Sequence, residues 1–498
     1  MPPEPTRRST EYSPMRSTGA SSTRRVGSPA ARADIDELYQ STADLPEKKS
    51  PAAQNLTWSR RQGIPQTSGA RRIIPVNAPR HVVIIGAGIT GAFAAHHLLK
   101  AGVRVTVLEA REKGAGSSSR SAACLRQQFS TPATVQAMVY SVAAYRRFAE
   151  EFRCSDGQGD VLVQNGYLFL YDRPDASDSP EHHSQRWKQA QSTVAMQQAH
   201  GLRDVELLSP EAIEDRFPHI RSDDLVGATF CPSDGFLRAD MVYQEGFRRV
   251  VEMGGVLRQN EAVTGGVFDS NGRLQAVETS AGDRIEADIF INATNAWAPR
   301  VSESLGGSTL PISPIKRYLY FIERGPSITG DQLLSWPMTI TSSRAYCRPE
   351  NAEQLLAGWA HAAEAEPGFD WDDQDHIEPG FFHRSGLDNY GYQLWLQLAE
   401  ALSIVGEFAG LAATTSGFYA VTPDHNPLIG FDPLQPTLLQ VAGFSGHGAM
   451  MGPFSGAAAA AMALAGETLD QLDIEGTSID LRHLIVGRQF NAGEGLVI

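Results

Sequence analysis

The chain has 498 residues, a length that suits two or three domains, and its 42% hydrophobic and 20% charged residues are typical of a soluble globular protein. The net charge of −14 argues against nucleic-acid binding, and no apolar stretch reaches the roughly 18 residues of a transmembrane helix. The four cysteines, at 124, 154, 231 and 347, form no CxxC pair and have no histidine at metal-ligand spacing. This pattern predicts a reducing compartment and no metal site.

The first 79 residues differ in composition from the rest. Residues 1–80 carry 13 Lys or Arg against 7 Asp or Glu, whereas the remainder carries 30 against 50. The segment is rich in Ser, Pro and Arg and poor in aromatic residues, so we expect a disordered basic tail. Its Arg and Ser content suits an organelle transit peptide, but Glu4, Glu11 and several prolines argue against one. The expected location is the cytoplasm, or the mitochondrial matrix in a eukaryote.

A complete βαβ unit follows the tail. The stretch HVVIIGAGITGAFAAHHLLKAGVRVTVLEA covers residues 81–110. It predicts a buried strand at Val82–Ile85, a helix at Ala92–Lys100 and a second strand at Val103–Leu108. A GxGxxG motif lies between the first strand and the helix and consists of Gly86, Gly88 and Gly91. This order of elements is the dinucleotide-binding fingerprint.

Each part of this unit has a chemical reason. The first glycine permits a tight turn, the second lets the backbone approach a pyrophosphate, and the third lets helix and strand pack closely. The helix N-terminus offers free N–H groups and a positive dipole end to phosphates, and Ile89 and Thr90, just before the predicted helix, are candidate cofactor contacts. At the end of the second strand, before Ala110, Glu109 can accept hydrogen bonds from a ribose diol. The motif by itself fits FAD and NAD equally.

Two further segments follow in chain order. The segment REKGAGSSSRSAACLRQQFS, residues 111–130, is rich in Gly and Ser and predicts a second nucleotide-contacting loop with four candidate residues, Ser118, Ser119, Arg120 and Ser121. Residues 231–266 predict a helix followed by a short strand. A β-meander is expected next, with turns at Asn271-Gly272 and Ala281-Gly282, and it ends in INATNAWAP.

The last glycine cluster is VAGFSGHGAMMGPFSGAAAA, residues 441–460. It predicts a strand, a glycine-rich turn around His447, and an alanine-rich helix packed tightly on a sheet. A turn without side chains suits the close approach of a flat or anionic group to the backbone.

These motifs, in this order, resemble those of the D-amino-acid oxidase superfamily of FAD oxidoreductases, on its sarcosine oxidase and dimethylglycine dehydrogenase branch. The resemblance covers roughly residues 81–490 and rests on the fingerprint, GSSSRSAACLRQQF, INATNAWAP and GFSGHG. The RQQFS and GFSGHG segments are most similar to those of a relative that assists the assembly of mitochondrial complex I.

The resemblance implies an α/β fold. It consists of an FAD-binding Rossmann-like domain of the glutathione-reductase type and a second α+β substrate domain built on a mixed or antiparallel sheet. The cofactor domain is expected at 80–150, 205–305 and 411–490, and the substrate domain at 151–204 and 306–410. An acidic insert at 363–380 fits no EF-hand pattern and is expected to be a solvated loop. It could act as a lid or as a partner surface, so a protein partner is possible.

The resemblance also implies site residues. Arg126 matches an arginine that grips the substrate carboxylate, with a salt bridge or a phosphate contact as the alternative. Tyr346 matches a substrate-side tyrosine, with core packing as the alternative. Further FAD contacts are expected at Val263, Ala293, Thr294, Trp297, Gly443, Ser445, Gly446, His447, Gly448 and Ala449. His447 is expected at the flavin edge, either as a proton shuttle or as a structural histidine.

Several positions depart from the family pattern. Gly417 stands where some relatives attach FAD through Cys, and no histidine occurs between 98 and 180, where the dehydrogenase branch attaches it, so we expect non-covalent FAD. Leu356 stands where oxidases keep a Lys that promotes reaction with O2, which favours a dehydrogenase. Met450 replaces a second carboxylate-binding Lys, which indicates a larger or less acidic substrate than sarcosine. Asn295 replaces a glycine in a turn.

The implied activity is oxidation of a C–N bond in a secondary or tertiary amine or amino acid, such as sarcosine or dimethylglycine, by hydride transfer to flavin N5. The expected partners are this small molecule and an electron acceptor of unknown identity. The alternative is an FAD-binding assembly or interaction protein with little or no amine turnover. A flavin monooxygenase is disfavoured because the chain has no recognisable NAD(P)H-recognition segment.

Overall fold

The structure is a computed structural model that describes residues 79–490, apart from 156, 158, 174–179, 360–365, 368–389, 404–407 and 409, together with residues 493–495. The expected basic tail, except for its last residue, and all but two residues of the acidic insert at 363–380 lie outside the described residues.

The described strands are, in chain order, β1 (His81–Ile85), β2 (Arg104–Leu108), β3 (Cys124–Leu125), β4 (Leu162–Val163), β5 (Tyr167–Asp172), β6 (Glu206–Leu208), β7 (Leu225–Cys231), β8 (Gly235–Leu237), β9 (Val256–Arg258), β10 (Val263–Phe268), β11 (Leu274–Thr279), β12 (Arg284–Glu286), β13 (Ile289–Asn292), β14 (Ser313–Glu323), β15 (Met338–Ile340), β16 (Ala345–Pro349), β17 (Gln354–Trp359), β18 (Glu366–Pro367), β19 (Gly410–Val421), β20 (Leu428–Phe431), β21 (Leu438–Ala442), β22 (Gln471–Ile474) and β23 (Thr477–Asp480).

The described α-helices are α1 (Ile89–Lys100), α2 (Pro132–Arg146), α3 (Phe148–Glu151), α4 (Pro180–Ala199), α5 (Pro210–Arg216), α6 (Ala239–Glu252), α7 (Ala298–Ser304), α8 (Gly330–Leu334), α9 (Tyr390–Ala401) and α10 (Gly448–Ala465). Two 3-10 turns, Ser117–Arg120 and Asn295–Trp297, lie beside the site described below.

A six-stranded sheet contains the predicted βαβ unit. Its order is β20-β21-β13-β1-β2-β9, and all neighbours are parallel except β20 and β21. All five residues of β1 are buried, as expected for a central parallel strand covered on both faces. The loops at the carboxyl ends of β1, β2 and β13 therefore meet at one edge of the sheet, which is where ligands bind in open α/β sheets.

Helix α10 packs against α1 with almost no space between the two backbones. A methyl group at Gly456 would lie 2.5 Å from Phe93 Cβ, and one at Gly452 would lie 2.6 Å from Ile89 Cγ2. The helix also contacts β20 and β21 of the six-stranded sheet, in line with the predicted packing on a sheet, and the contact with α1 was not predicted. Helix α10 is long and apolar enough to cross a membrane, but 72% of it is buried inside the protein, so we regard it as a core helix.

The second large sheet has nine strands in the order β18-β14-β17-β16-β15-β5-β7-β6, with β19 paired to β14. The predicted boundaries put β6, β7 and β19 in the cofactor domain, but all three belong to this sheet. The hydrophobic pattern identifies a strand without identifying its partner: β7 pairs with β5, and β19 pairs with β14 along its length. The domain boundaries themselves stay a prediction.

The predicted β-meander is present as the three-stranded antiparallel sheet β10-β11-β12. Its two turns contain Gly272 and Gly282 at φ +78° and +85°, the left-handed region that glycine favours. Two smaller sheets, β22-β23 and β3-β8-β4, complete the described strands.

Candidate functional site

The glycine turn between β1 and α1 has no room for side chains. Gly86 has φ +108°, and a methyl group there would lie 2.7 Å from Ala293 O. A methyl group at Gly91 would lie 2.3 Å from Gly86 O, and one at Gly88 would lie 3.0 Å from Ser118 Oγ. The turn therefore presents bare backbone to the space above it, as the fingerprint predicts.

Glu109 closes this turn from the end of β2. Its Oε2 accepts a hydrogen bond from Ala87 N at 2.8 Å, and its Oε1 accepts one from Arg111 N at 3.0 Å. Ser118 Oγ accepts a hydrogen bond from Ile89 N, in the first turn of α1, at 3.2 Å. The Ser-rich segment therefore lies directly against the fingerprint, as expected for a second nucleotide-contacting loop.

A cavity of about 780 Å³ opens above the turn, within the roughly 300–1,000 Å³ typical of small-molecule and cofactor sites. Most of the predicted site residues line it. They are Gly86, Gly88, Ile89, Thr90, Glu109, Ala110, Ser118, Arg120, Ser121, Val263, Ala293, Thr294, Trp297, Tyr346, Gly446, Gly448 and Ala449.

Two helices begin at this cavity. Helix α1 has Gly88 at its N-cap, which has no side chain to cap the helix, and α10 has His447, whose side chain makes no capping hydrogen bond. Neither helix has an acidic residue in its first turn. Both N-termini therefore direct a positive dipole end toward the cavity, which favours anionic groups there.

The glycine turn before α10 is shaped by a tyrosine and an asparagine. Gly446 has φ +92°, and a methyl group there would lie 2.5 Å from the Tyr419 ring. Asn295 Oδ1 accepts hydrogen bonds from Gly443 N at 3.2 Å and Phe444 N at 3.3 Å. Asn295 itself has φ +50°, so it tolerates the conformation of the glycine that it replaces.

Several predicted site residues do not line the cavity: Gly91, Ser119, Gly443, Ser445, Arg126 and His447. Gly91 lies beneath the turn, and the N–H of Gly443 is directed to Asn295 instead of the cavity. Ser445 is buried, and its N–H donates to Ala420 O at 2.9 Å. Ser119 is exposed. These residues lie outside the cavity lining, and their predicted roles stay predictions.

Arg126 and His447 form a buried pair behind the wall. Arg126 has no exposed surface; its Nη1 donates to the carbonyl of Gln128, and its Nη2 lies 3.3 Å from His447 Nε2. The Phe129 ring lies 4.0 Å from the Arg126 guanidinium carbon. Burial, assisted by Arg126, holds the pKa of His447 well below its usual value, so the imidazole is neutral. Neither residue lines the cavity, and their predicted roles toward substrate and flavin stay predictions.

The nine-stranded sheet supplies the opposite wall. Tyr346 lies on it as predicted, but sequence reasoning missed four neighbours from β14 and β19: Arg317, Leu319, Phe418 and Tyr419. The alternation in KRYLYFIE contains the signal for two of them. Tyr318 and Tyr320 pack into the core on one face of β14, which directs Arg317 and Leu319 to the other face.

Other chemistries have little support among the described residues. No cluster of three or more His, Cys, Asp or Glu residues there is arranged to hold a metal ion. All four cysteines are free, and burial raises the pKa of the Cys124 thiol to about 11 and that of Cys347 to about 12. Neither of these two thiols is therefore ionised at neutral pH, as a cysteine nucleophile would need to be.

Comparison with known proteins identifies the family. The family described as DAO, FAD dependent oxidoreductase, matches residues 81–462. The chain belongs to this family. Because the family uses FAD, its cofactor is FAD, as the sequence motifs predicted.

Individual relatives of this FAD-dependent oxidoreductase are moderately similar. FAD-dependent oxidoreductase domain-containing protein 1 of Bos taurus is 27% identical over 428 residues, which cover 77% of this chain and 81% of the relative. The mitochondrial sarcosine dehydrogenase of Mus musculus is 28% identical over 384 residues, covering 76% of this chain and 39% of that protein. The crystal structure of L-proline dehydrogenase from P. horikoshii matches with a TM-score of 0.66 and 26% identity, and the match covers 78% of this chain and 95% of that chain. The predicted fold class is confirmed.

The described residues fit FAD. The side-chain-free turn at Gly86 and Gly88 and the N-terminus of α1 suit a pyrophosphate, and the nearby Glu109 suits a ribose. The N-terminus of α10, with Gly446 and Gly448 beside it, suits a flat ring that becomes anionic on reduction. The contacts of individual residues with FAD stay predictions.

Proposed function

We propose that this FAD-dependent oxidoreductase oxidises a C–N bond in a secondary or tertiary amine or amino acid of the sarcosine or dimethylglycine type. The observation that carries the proposal is the single cavity that joins the glycine turn at Gly86 to the sheet wall bearing Leu319 and Tyr346. An FAD whose pyrophosphate is held at the glycine turn would place its flavin ring against this sheet wall. Sarcosine dehydrogenase and L-proline dehydrogenase, both of which are named for amino acids with a secondary amine, are among the similar proteins.

When bound, the flavin accepts the two electrons that are released when the carbon next to nitrogen loses its hydrogen. The chain contributes orientation and a defined environment. Leu319, Phe418 and Phe444 are apolar wall residues that exclude water from the reacting carbon. The N–H groups at the start of α10 stabilise negative charge at the adjacent end of the cavity. An amine that loses its proton before oxidation needs no side-chain base, and the neutral His447 lies outside the cavity.

We further propose that the protein binds FAD non-covalently and that it acts as a dehydrogenase instead of an oxidase. Gly417, at the Cys position discussed above, lines the cavity and has no side chain that could form a covalent bond to the ring. Leu356, at the position expected for the Lys of the oxidases, is 3% exposed and packs in an apolar cluster with Leu319 and Tyr346. An apolar residue there supplies no cation to stabilise nascent superoxide, which disfavours rapid reaction with O2.

The test is a visible absorption spectrum of the purified protein, followed by anaerobic addition of N-methyl and cyclic amino acids. We expect one of these compounds to bleach the flavin band, and we expect slow recovery when air is readmitted. Fast recovery would contradict the dehydrogenase assignment. Flavin that stays with the protein after denaturation and washing would contradict non-covalent binding.

A flavin band that no amine bleaches would favour the second candidate, an FAD-binding assembly or interaction protein. The similarity to FAD-dependent oxidoreductase domain-containing protein 1, whose name specifies no substrate, is the observation that favours it. Because the sarcosine dehydrogenase relative is mitochondrial, we propose the mitochondrial matrix as the location, and fractionation of the source cells tests this.

A further inference from the structure

Helix α10 contains a proline near its start. Pro453 is the sixth residue of this helix, which begins at Gly448. A proline has no N–H, so it cannot donate the helical hydrogen bond to the carbonyl oxygen four residues earlier, here Ala449 O, and its ring presses against that carbonyl. Ala449 lines the cavity. The missing hydrogen bond therefore belongs to the first turn of a helix that begins at the cavity.

A tyrosine from another helix supplies a donor to this carbonyl. The hydroxyl of Tyr145, on α2, donates a hydrogen bond to Ala449 O. Burial raises the pKa of Tyr145 well above its usual value, so the hydroxyl keeps the proton that it donates. The ring packs edge-to-face against that of Phe93 on α1, with 5.7 Å between the centroids, which fixes its orientation. The side chain of Tyr145 therefore takes the place of a backbone N–H.

Helix α2 makes a second contact beside the proline. The hydroxyl of Ser141, one turn before Tyr145, accepts a hydrogen bond from Phe454 N at 3.3 Å. Ser141 has no exposed surface, and Tyr145 is 1% exposed. Because residues four apart lie on one face of a helix, a single face of α2 supports α10 on both sides of Pro453. The support lies where the hydrogen bonding of α10 is interrupted.

The hydrogen bond to Ala449 O also fixes an N–H group. A peptide unit is planar, and its C=O and N–H point in opposite directions, so the direction of Ala449 O determines that of Met450 N–H. Gly448, Ala449 and Met450 are the first three residues of α10, and their N–H groups have no acceptor within the helix. Helical N–H groups point toward the start of the helix, which here is the cavity. Tyr145 therefore controls the orientation of an N–H that faces the cavity end of α10.

We propose that Tyr145 is a positioning residue for the flavin and that its hydroxyl replaces the N–H that Pro453 lacks. It keeps the first peptide groups of α10 in the orientation that stabilises negative charge on the reduced ring. Tyr145 is not among the residues that line the cavity, so it acts through the helix and not by contact with the cofactor. The inference rests on the placement of the flavin ring beside α10 in the proposed function, and it does not depend on the identity of the substrate.

The experiment is a double-mutant cycle that measures the two-electron reduction potential of the bound flavin. Tyr145→Phe removes the hydroxyl and keeps the ring. Pro453→Ala gives residue 453 an N–H that can donate to Ala449 O, so that the helix no longer needs the tyrosine. The unsubstituted full-length FAD-bound protein, the two single variants and the double variant are each reduced in the presence of a reference dye of known potential.

Tyr140→Phe is the matched control. Tyr140 is also a buried tyrosine of α2, but the charges that act on it include the carboxylates of Glu475 and Glu151, which do not line the cavity. Loss of this hydroxyl should leave the flavin potential unchanged. A shift in Tyr140→Phe as large as that in Tyr145→Phe would overturn the inference, because any disturbance of α2 would then have the same effect.

We expect Tyr145→Phe to weaken the binding of reduced flavin relative to oxidised flavin about fivefold, which makes the two-electron potential about 20 mV more negative. The physical reason is that a buried carbonyl without its donor turns toward another partner and turns Met450 N–H with it. Pro453→Ala alone should keep the potential of the unsubstituted protein. In the Pro453→Ala background, Tyr145→Phe should have little further effect.

An unchanged potential in Tyr145→Phe would overturn the inference, and so would an equal shift in both backgrounds, which would assign the effect to packing and not to the bond with Ala449 O. If Tyr145→Phe does not retain FAD, the flavin-to-protein absorbance ratio becomes the readout, and a double variant that fails to regain FAD would overturn the inference. Failure of the proposed function is distinguishable, because no amine would then bleach the flavin while the potentials would still follow this cycle.

Discussion

At the scale of single residues, the glycine turn is the feature most tightly determined by its neighbours. A methyl group at Gly91 would lie only 2.3 Å from the carbonyl oxygen of Gly86, and that carbonyl belongs to the turn itself. The turn must therefore shift to accept any side chain. Backbone shifts of this kind typically cost about 1–3 kcal/mol.

We expect Gly91→Ala to lower FAD content strongly, because the displaced turn no longer fits a pyrophosphate. The measurement is the ratio of flavin to protein absorbance in the purified protein. Gly265→Ala on β10 is the control, since a methyl group there meets nothing within 4 Å. Full FAD content in Gly91→Ala would show that the turn tolerates the shift.

A second residue-scale prediction concerns Asp234, which has no exposed surface. Its Oδ1 accepts hydrogen bonds from Gln127 N and Nε2, both at 2.9 Å, and its Oδ2 accepts one from Gln128 Nε2 at 3.3 Å. Burial nevertheless raises the pKa of this carboxyl from 3.8 to about 7. At pH values between these two pKa values, Asp234 is protonated in the folded protein but ionised in the unfolded chain.

The unfolding free energy contributed by Asp234 should therefore fall as the pH rises from about 4 to about 7, by at most about 1.4 kcal/mol per pH unit, and then level off. We expect Asp234→Asn to remove this slope, since an amide does not titrate. Urea unfolding between about pH 5 and about pH 8 measures it. The exposed Asp223→Asn is the control and should leave the slope intact. Parallel curves for Asp234→Asn and the unsubstituted protein would contradict the prediction.

The residues that could be predicted from the sequence are those whose role depends on the local backbone. Gly86 and Glu109 follow from their places in one βαβ unit, and the structure places both at the cavity. Arg126 and Arg317 show the limit of this reasoning. Which of two arginines reaches a cavity depends on the direction of a side chain and on the strand paired beside it, here Gly417 on β19. The alternation of β14 indicates the direction of the Arg317 side chain, but no local motif encodes the strand that pairs beside it.

At the scale of elements, the contact between α1 and α10 is the closest helix packing near the site. Gly456 lies against the backbone of α1, where a methyl group would be 2.7 Å from Ala94 N and 2.5 Å from Phe93 Cβ. Both helices begin at the cavity, so their spacing sets the distance between two N-termini that face it.

We expect Gly456→Val to destabilise the protein by about 1–3 kcal/mol, because overpacking outweighs any gain in helix propensity. FAD content should fall as well, since α1 and α10 must move apart. Thermal unfolding and the flavin-to-protein ratio measure the two effects. Ala465→Ser, at the exposed end of the same helix, is the control. A stable, fully flavinated Gly456→Val variant would show that the contact is not tight.

Elements with strong local signals were predicted well. The βαβ unit and the β10-β11-β12 meander match the predictions because glycine turns and hydrophobic periods mark their ends. The pairing of β19 with β14, across about a hundred residues of chain, was not predicted. Pairing over such a separation leaves no local pattern.

At the scale of the whole molecule, a buried ion pair fastens the end of the described chain to its body. Arg488 donates to both oxygens of Asp424, from Nε at 2.8 Å and from Nη2 at 2.7 Å, and the two side chains are 5% and 6% exposed. Glu494 N also donates to Asp424 O at 3.1 Å. Asp424 lies in the loop between β19 and β20, so this pair connects the C-terminal segment to a strand that lines the cavity.

We expect Arg488→Met to lower the unfolding free energy by about 3–5 kcal/mol, because it leaves the Asp424 carboxylate buried without its partner. Chemical denaturation of the FAD-bound protein measures the loss. Arg482→Met is the matched control, since its ion pair with Asp480 is 72% and 45% exposed and should contribute less than about 1 kcal/mol. Similar losses in the two variants would contradict a structural role for the buried pair.

The strand order of the six-stranded sheet also has a consequence for biosynthesis. β1 at residues 81–85 lies between β2 and β13, and β13 in turn needs β21 at residues 438–442. When β1 and β2 have just been synthesised, only one of the two neighbours of β1, an entirely buried central strand, is present. The edge of β1 stays open until β13 (Ile289–Asn292) is made, and the edge of β13 then stays open until β21 (Leu438–Ala442) is made. At elongation rates of about 5–20 residues per second the whole interval lasts for tens of seconds. We expect productive folding to depend on a chaperone that shields the open edge of this sheet until β21 emerges.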